Sequence, residues 1–316
     1  MRTGIGRGAG AAVVLLVLAA CSSSAGGGTD GGTDGGTGGG TDAAKPAGAV
    51  TVVAAGDIST CPGADCGPAD TAALVVDIDP DAVLTLGDNQ YPKGELVDFQ
   101  DKYAKTWGQF IDITHPAPGN HEYLASPDAD GYFDYFGEAA HPETDGYYSF
   151  DLGDWHLVAL NSNDECTELA CDESSAQQRW FADDLARSDA SCTLAYWHHP
   201  RWSTGEHGDA ESSDALWRTA VDGGVDLVLN GHDHDYERFT AQDASGDADQ
   251  QGTVQIVAGT GGAGVRDFAG PADPLTAARV EGRKGVLRLD LGKDSYRWQF
   301  VAVGGEVLDQ GTTGCS

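Results

Sequence analysis

Five short segments of the chain bring together side chains that bind metal ions. They are Ala55-Gly56-Asp57, Gly87-Asp88-Asn89-Gln90-Tyr91, Gly119-Asn120-His121-Glu122, Trp197-His198-His199-Pro200 and Gly231-His232-Asp233-His234. Carboxylate and phenolate oxygens suit a hard ion such as Fe(III), whereas imidazole and amide donors suit a borderline divalent ion. Two ions held close together can activate water for hydrolysis and neutralise an anionic substrate. The residue types therefore predict a two-metal hydrolytic centre.

Most of these segments directly follow a run of residues that predicts a buried strand. The predicted strands cover 51–54, 82–86, 193–196 and 225–230. A predicted helix at 70–78 joins the first two strands into a β-α-β unit. A right-handed crossover of this length makes the two strands parallel, which brings Asp57 and Asp88 to the same edge of the sheet. We therefore expect the candidate ligands to meet at neighbouring strand ends.

The remaining pattern predicts an α/β fold. Alternating residues on both sides of Gly153-Asp154 predict a β-hairpin, and a second hairpin is expected around 292–294. Apolar residues at steps of three and four predict a helix over 95–110, and further helices are expected at 174–187 and 209–222. Together these elements predict a four-layer α-β-β-α sandwich of two mixed sheets flanked by helices.

The ordered motifs resemble those of purple acid phosphatases, within the calcineurin-like metallophosphoesterase superfamily. Gly87 to Tyr91 matches the element G-D-x-x-Y, and it is followed in order by Gly-Asn-His-Glu, His-x-Pro and Gly-His-x-His. The resemblance extends from residue 50 to about residue 303. One position departs from it, because Ser59 stands where the family usually has the glycine of Asp-x-Gly. Asp57 itself is retained.

This resemblance implies a particular set of metal ligands. The first ion, ferric iron in the purple members, would be held by Asp57, Asp88, Tyr91 and His234. The second ion, which would be zinc, manganese or ferrous iron, would be held by Asp88, Asn120, His198 and His232. Asp88 would then bridge the two ions.

Several other histidines and one glycine motif have separate interpretations. The resemblance implies that His121 steadies the phosphate or protonates the leaving group, and that His207 contacts the substrate and is a second candidate for that proton. The alternatives are that His121 only hydrogen-bonds a ligand and that His207 lies in a surface loop. For His199 a structural and a functional role are equally open. His156 alternates with apolar residues in a predicted strand, so it is interpreted as a core or edge histidine. The glycines of 259–264 fit G-x-G-x-x-G, but no helix is predicted after them, which argues against dinucleotide binding.

The N-terminus has the features of an exported lipoprotein. Residues 1–20 carry Arg2 and Arg7 before an uncharged stretch too short to span a bilayer, which is typical of a signal peptide. Leu18-Ala19-Ala20-Cys21 resembles the bacterial lipobox, and ordinary secretory cleavage or a membrane anchor are the alternatives. We expect a lipid on Cys21 to anchor the chain at the extracytoplasmic face of the membrane. A disordered tether rich in Gly, Thr and Asp would cover 21–48, and the metallophosphoesterase domain 49–316.

Charge and cysteine content narrow the function further. The chain has 50 acidic and 18 basic residues, a net charge of −32, which argues against nucleic-acid binding. If Cys21 carries a lipid, six cysteines remain, and an even number in an exported protein favours disulfides. Proximity in sequence suggests pairing within 61–66 and within 166–171, which leaves Cys192 and Cys315 to pair with each other.

These observations predict a phosphomonoester hydrolase that uses a metal-activated hydroxide on a small phosphate-ester substrate. A phosphodiesterase or nucleotidase with the same ions is an alternative, as is a surface lipoprotein that binds metal or phosphate without catalysis. The sequence does not determine the oligomeric state.

Overall fold

The computed structural model describes residues 45–61, 67–163 and 174–316. The predicted signal peptide and nearly all of the predicted tether lie outside these residues, as do Cys66, Cys166 and Cys171. None of the helices in the described part combines the length and apolarity needed to cross a bilayer.

The strands form two mixed sheets. Their bounds are β1 Val50–Ala55, β2 Ala82–Leu86, β3 Thr114–Ala117, β4 Tyr148–Leu152, β5 Trp155–Ala159, β6 Cys192–Tyr196, β7 Leu227–Asn230, β8 Tyr236–Phe239, β9 Val254–Ala258, β10 Thr276–Val280, β11 Gly285–Leu291, β12 Ser295–Ala302 and β13 Val307–Gly314. The six-stranded sheet has the order β13-β12-β11-β1-β2-β3, and the seven-stranded sheet has the order β10-β8-β9-β7-β6-β5-β4. Strands β1 and β2 are parallel, as the predicted crossover requires. Both predicted hairpins, β4-β5 and β11-β12, are confirmed.

The helices lie on the outer faces of the two sheets. They are α1 Gly67–Ile78, α2 Leu96–Asp101, α3 Asp130–Phe136, α4 Ala176–Leu185 and α5 Asp214–Asp222. Successive residues of β1 explain the layers, because side chains alternate across a strand. Val52 belongs to the apolar cluster between the sheets. Val53 packs instead with Leu74 of α1, and Phe181 of α4 packs on the outer face of the second sheet. The predicted four-layer sandwich is therefore confirmed.

One predicted helix is wrong. The segment 95–110 forms α2, followed by two short 3₁₀ segments at Tyr103–Lys105 and Trp107–Ile113. The spacing of the aromatic residues was a correct sign of burial, since Phe99, Tyr103 and Trp107 are fully buried. The α-helix nevertheless ends at Asp101, because the amide of Tyr103 donates to Oε1 of Gln90 at 3.2 Å rather than to a helical carbonyl.

A disulfide joins the end of the chain to the second sheet. Cys192 begins β6 and is bonded to Cys315, 123 residues later in the sequence. The pairing predicted for these two cysteines is therefore confirmed. The amide and hydroxyl of Ser316 also donate to Oδ1 of Asp226, at 2.7 and 3.0 Å, which holds the last residue beside the same strand.

Candidate metal centre

The five segments meet at one edge of the sandwich, at the ends of strands from both sheets. Asp57 and Asp88 follow β1 and β2 of the six-stranded sheet, and Asn120 follows β3. His198 follows β6, and His232 and His234 follow β7, so these imidazoles come from the seven-stranded sheet. Each element delivers its side chain where the strand ends, which is where α/β sheets generally place ligand-binding groups.

The backbone at three of these positions is left-handed. Asp57 has a φ of 60°, Asp88 of 48° and His232 of 70°. Such values are uncommon for residues other than glycine, and they concentrate at functional sites where the surrounding structure enforces them. At each of these positions the backbone therefore departs from the strand direction at a candidate ligand.

Close packing of the loops requires glycine before the polar residues. A Cβ on Gly87, whose φ is 83°, would lie 2.5 Å from Nδ1 of His198. A Cβ on Gly119 would lie 2.2 Å from the backbone nitrogen of Asp88. Neither distance is tolerable for a real side chain, so the glycines of the sequence motifs allow the loops to approach one another.

One group of donors surrounds the phenol of Tyr91. Its oxygen lies 2.8 Å from Oδ1 of Asp57, 2.9 Å from Oδ2 of Asp88 and 3.0 Å from Nε2 of His234. The Nδ1 atom of His234 donates to the carbonyl of Gly264 at 2.7 Å, which directs Nε2 toward the phenol. One hydroxyl proton cannot serve both carboxylates at once, and a cation among the four groups would satisfy them all.

A second group of donors surrounds the amide oxygen of Asn120. It lies 3.1 Å from Nε2 of His198 and 3.1 Å from Nδ1 of His232, and these two nitrogens are 3.2 Å apart. The Nε2 atom of His198 is also 3.4 Å from Oδ1 of Asp88. Because Nδ1 of His198 donates to the carbonyl of Leu86 at 2.8 Å, its Nε2 is the atom left to face the site.

The spacing and chemistry of both groups fit metal ions. Ligands at about 2.1 Å from a metal ion, at right angles to one another, are separated by about 3.0 Å, which is close to the distances between these donors. Asp57, Asp88 and His198 can place ligand atoms within 4.8 Å of one another, and so can His198, His199 and His232. Asp88 belongs to both groups through different oxygens, so it lies between the two positions.

Burial and neighbouring charges shift the pKa values of the groups in this site. Burial, together with the charges of Asp57 and Asp88, raises the pKa of Tyr91 far above its ordinary value. Burial alone would raise the pKa of Asp88, but nearby His198 and His121 outweigh it and hold that pKa below its usual range. Burial opposes protonation of His198, yet the charge of Asp88 raises the pKa of His198 to about 9. The carboxylate form of Asp88 and the protonated form of His198 thus stabilise each other.

His121 lies at the open side of the first group. Its amide donates to Oδ1 of Asp88 at 2.8 Å, and its ring centre is 4.2 Å from that of Tyr91. Its Nδ1 is 2.6 Å from the carbonyl oxygen of Pro92, and its Nε2 is 3.8 Å from Oδ2 of Asp88. The side chain is 28% exposed, so a substrate can reach it.

His207 lies over the second group. Its ring centre is 4.3 Å from that of His232, and its amide donates to Oδ1 of Asp233 at 2.8 Å. His199, whose role the sequence left open, is bonded through Nδ1 to the hydroxyl of Ser162 at 2.8 Å, with its ring 4.5 Å from His232. Burial and the positive charge of His198 lower the pKa of His199 to about 3, so this imidazole is neutral.

Sequence reasoning missed three residues that shape the site. Glu122 is buried and accepts hydrogen bonds from the amides of Gly119 and Gln90, at 2.7 and 3.1 Å, which ties two of the loops together. Burial and the charge of Asp88 raise the pKa of Glu122 to about 8. Asp233 holds the loop of His207, and Arg266 hydrogen-bonds its ring. Glu122 and Asp233 stand inside the motifs, whereas no local pattern marks Arg266.

The glycine-rich segment at 259–264 packs against the site. A Cβ on Gly259 would lie 2.6 Å from Oδ2 of Asp57, and the amide of Gly261 donates to the carbonyl of Gly56 at 2.9 Å. No helix follows this segment; β10 is the next element. The motif therefore serves as a closely packed wall beside Asp57.

Comparisons with known proteins agree with this geometry. Residues 50–236 match the family described as calcineurin-like phosphoesterase. Purple acid phosphatase 15 of Arabidopsis thaliana is 30% identical over an alignment of 229 residues, and the match covers 61% of this chain and 42% of the relative. Purple acid phosphatase 22 of the same plant is also 30% identical over an alignment of 229 residues, and the match covers 64% of this chain and 51% of the relative. The chain thus spans about half the length of these relatives, or less.

Solved structures show the same fold. A purple acid phosphatase isolated from yellow lupin (Lupinus luteus) seeds superposes with a TM-score of 0.65 at 20% identity, covering 84% of this chain and 53% of that protein. A dimetal phosphatase from Danio rerio superposes with a TM-score of 0.54 at 14% identity, covering 85% of this chain and 99% of that protein. Together, the family match and these relatives confirm the resemblance that the five segments carry.

Proposed function

The chain belongs to the calcineurin-like phosphoesterase family, and from this premise we propose that it is a binuclear metal-dependent hydrolase of phosphomonoesters. The observation that carries the proposal is the pair of donor groups around Tyr91 and Asn120, with Asp88 between them. In both groups the donor atoms have the spacing of metal ligands. A purely structural hydrogen-bond network does not explain seven potential metal ligands at one edge of the sandwich.

The proposed residues would hold two ions of different character. Asp57, Tyr91 and His234 supply hard oxygens and one imidazole, which favours Fe(III), whereas Asn120, His198 and His232 favour zinc, manganese or ferrous iron. Asp88 would be shared. The two ions would acidify a water molecule into a nucleophile and neutralise the charge of the phosphate group.

His121 is suited to hold a proton for the leaving group. Its bond to the carbonyl of Pro92 makes Nδ1 a donor, so the ring is fixed in orientation and Nε2 is the atom that faces the site. A proton on Nε2 could pass to the departing alkoxide oxygen. The partial exposure of the ring leaves room for a substrate beside it.

His207 is less suited to that task. Its Nε2 atom is 2.5 Å from Nη1 of Arg266. The guanidinium has only donors, so Nε2 of His207 must act as the acceptor while this contact lasts. An imidazole nitrogen that accepts a hydrogen bond cannot at the same time carry a proton for the leaving group. We therefore assign the proton to His121 and a substrate-facing position to His207.

The test is the Asp88→Asn variant in the holoprotein. It should lose most of its bound metal and nearly all turnover of p-nitrophenyl phosphate, because both donor groups lose a carboxylate. Asp101→Asn is the matched control: Asp101 is 67% exposed and its ion pair with Lys105 spans 3.6 Å. Retention of both metal and turnover in Asp88→Asn would overturn the proposal.

Three further measurements refine the proposal. Faster turnover of bis-p-nitrophenyl phosphate than of the monoester would replace the monoesterase with a phosphodiesterase. Tight phosphate binding without turnover under any metal would identify a binding protein. Elemental analysis with a visible spectrum tests the ions, because a tyrosinate bound to Fe(III) absorbs visible light, whereas a tyrosinate bound to zinc does not.

We also propose that the chain is exported and anchored by a lipid on Cys21. The support is the lipobox-like sequence that ends at this cysteine and the low-complexity segment that follows it. In a bacterial host, the full chain should sediment with membranes, and Cys21→Ala should release it into the soluble fraction. Equal membrane association of both forms would contradict the lipid anchor.

A further inference from the structure

The mouth of the candidate site carries a cation that its proposed chemistry does not use. Arg266 follows β9 and lies in a loop fixed by His234: its amide donates to the carbonyl of His234 at 3.0 Å, and Nδ1 of His234 donates to the carbonyl of Gly264 at 2.7 Å. The loop is thus fastened at two points to a proposed metal ligand. The position of Arg266 is therefore tied to the metal centre.

The guanidinium reaches toward the second donor group. Its Nη1 atom contacts Nε2 of His207, whose ring is tilted by 32° relative to that of His232, with the ring centres 4.3 Å apart. Arg266 thus lies one side chain beyond the proposed ligands. That position beside His207 suits a group attached to the phosphate that the two ions would hold.

The guanidinium is also available to a ligand. Its side chain is 33% exposed, and its Nε atom is 3.3 Å from Oε2 of Glu206, whose own side chain is 60% exposed. A surface ion pair of this kind is weak and exchanges readily. The described residues give Nη2 of Arg266 no hydrogen-bond partner. The group therefore retains donors that an anion can bind.

The charge around the site makes this arginine distinctive. The chain has 50 acidic and only 18 basic residues, and within the described residues Arg266 is the basic side chain that hydrogen-bonds a histidine of the candidate site. A planar guanidinium is the side chain best matched to carboxylate and phosphate oxygens. A substrate with a single anionic group would not need it.

From these contacts we infer that Arg266 binds a second anionic group of the substrate, a carboxylate or another phosphate close to the scissile phosphate. The inference rests on the proposed function and extends it to a substrate class: phosphomonoesters that carry two neighbouring anions. Arg266 acts here as a specificity-determining residue. His207 holds the guanidinium at the required distance from His232.

The kinetic test uses matched substrates. Phenyl phosphate and 2-carboxyphenyl phosphate differ only in a carboxylate beside the phosphate ester. Arg266→Gln should raise the KM for 2-carboxyphenyl phosphate about tenfold more than it raises the KM for phenyl phosphate, as expected for a lost charge-assisted contact. The KM of Arg266→Lys for 2-carboxyphenyl phosphate should lie between the values for Arg266→Gln and the parent protein. Arg283→Gln is the control, since Arg283 pairs with Glu306 at 3.1 Å elsewhere on the surface.

A binding measurement separates this inference from the proposed function. Calorimetry on the metal-loaded protein would compare methylphosphonate with phosphonoacetate and with methylenediphosphonate, none of which is a phosphate ester. The parent should prefer the ligands with two anions, and Arg266→Gln should abolish the preference. A preference for phosphonoacetate alone or for methylenediphosphonate alone would distinguish a carboxylate from a phosphate as the second group.

Each contrary outcome has a defined meaning. An unchanged preference in Arg266→Gln would overturn the inference, as would an equal loss of affinity for all three phosphonates, which would indicate contact with the shared phosphonate or a structural role. Absence of turnover together with an Arg266-dependent preference would refute the hydrolase and leave the inference standing. Turnover of phenyl phosphate without any preference for ligands that carry two anions would support the hydrolase and overturn the inference.

Discussion

The backbone amide of His232 donates a 2.8 Å hydrogen bond to Oδ2 of Asp57, although 175 residues separate the two in sequence. Asp57 follows a strand of the six-stranded sheet and His232 a strand of the seven-stranded sheet. The other oxygen of the same carboxylate receives the phenol of Tyr91. A single buried side chain therefore joins the two sheets and also faces the candidate metal position.

Two substitutions of Asp57 should separate these roles. Asp57→Asn keeps an oxygen for the His232 amide and removes a buried charge, so the metal-free protein should be at least as stable as the parent. Asp57→Ala leaves the amide without a partner and should lower the free energy of unfolding by about 1–3 kcal/mol. Urea unfolding in the presence of a chelator measures both. Both variants should retain about one metal ion instead of two, and two ions in each would contradict the assignment of Asp57.

A proton donor at His121 predicts a dependence on the leaving group. An alkoxide needs a proton to depart, whereas p-nitrophenolate is a stable anion and departs without one. His121→Asn should therefore reduce kcat for glycerol 2-phosphate about 100-fold and for p-nitrophenyl phosphate far less. The same comparison with His207→Asn should show similar losses for both substrates. If His121→Asn slows both substrates equally, His121 positions phosphate and does not supply the proton.

The disulfide between Cys192 and Cys315 should contribute strongly to stability. It closes a loop with a sequence separation of 123 residues, and cross-links across long loops reduce the freedom of the unfolded chain most. Cys315→Ser should lower the free energy of unfolding by about 4 kcal/mol under oxidising conditions. A reducing agent should lower the stability of the parent by a similar amount and affect the variant much less. Equal sensitivity of the two proteins would show that another bond causes the effect.

His156 predicts a pH-dependent stability away from the candidate site. Its two ring nitrogens are each 2.9 Å from a carboxylate, Asp184 in α4 and Asp151 in β4. The hydrogen bond to Asp184 raises the pKa of His156, burial opposes this, and Asp151 adds to the rise. Because the folded pKa lies above the unfolded value of about 6.5, this stabilisation is complete below that pH and is lost as pH rises through the folded pKa.

The corresponding experiment compares free energies of unfolding at a pH below the unfolded pKa of His156 and at a pH above its folded pKa. His156→Gln should destabilise the protein by about 1 kcal/mol at about pH 5.5 and by less at about pH 9. Asp184→Asn should behave similarly. Asp151→Asn should have the smaller effect, because the side chain of Asp151 is 78% exposed and solvent screens it. If the destabilisation caused by His156→Gln grew with pH, that result would contradict a raised pKa of His156.

Much of the fold could be predicted because single strands carry local signals. The apolar runs before Asp57, Asp88 and His198 predicted strands. The length of the crossover predicted the parallel pairing of β1 with β2. The partner on the other side of β1 is β11, more than 200 residues later, and it pairs antiparallel. Nothing local indicates such a neighbour, because that pairing depends on how the two ends of the chain pack together.

The candidate site was predictable in its members and not in its geometry. Glycine followed by a polar residue at a strand end indicated Asp88 and His232, but the left-handed backbone at both residues follows from tertiary packing. Arg266 was missed for the same reason: only the folded loop places it beside His207. The helix predicted over 95–110 failed because the side chain of Gln90 competes for the amide of Tyr103.

The two donor groups draw on both sheets, which otherwise meet through an apolar layer. A cation pair bound there would fasten one half of the sandwich to the other, and its binding energy would add to the folding energy. Resistance of the protein to heat and to proteases would then follow the supply of ions in its surroundings. A shortage of those ions would make the chain more sensitive to proteolysis and would also abolish its proposed activity.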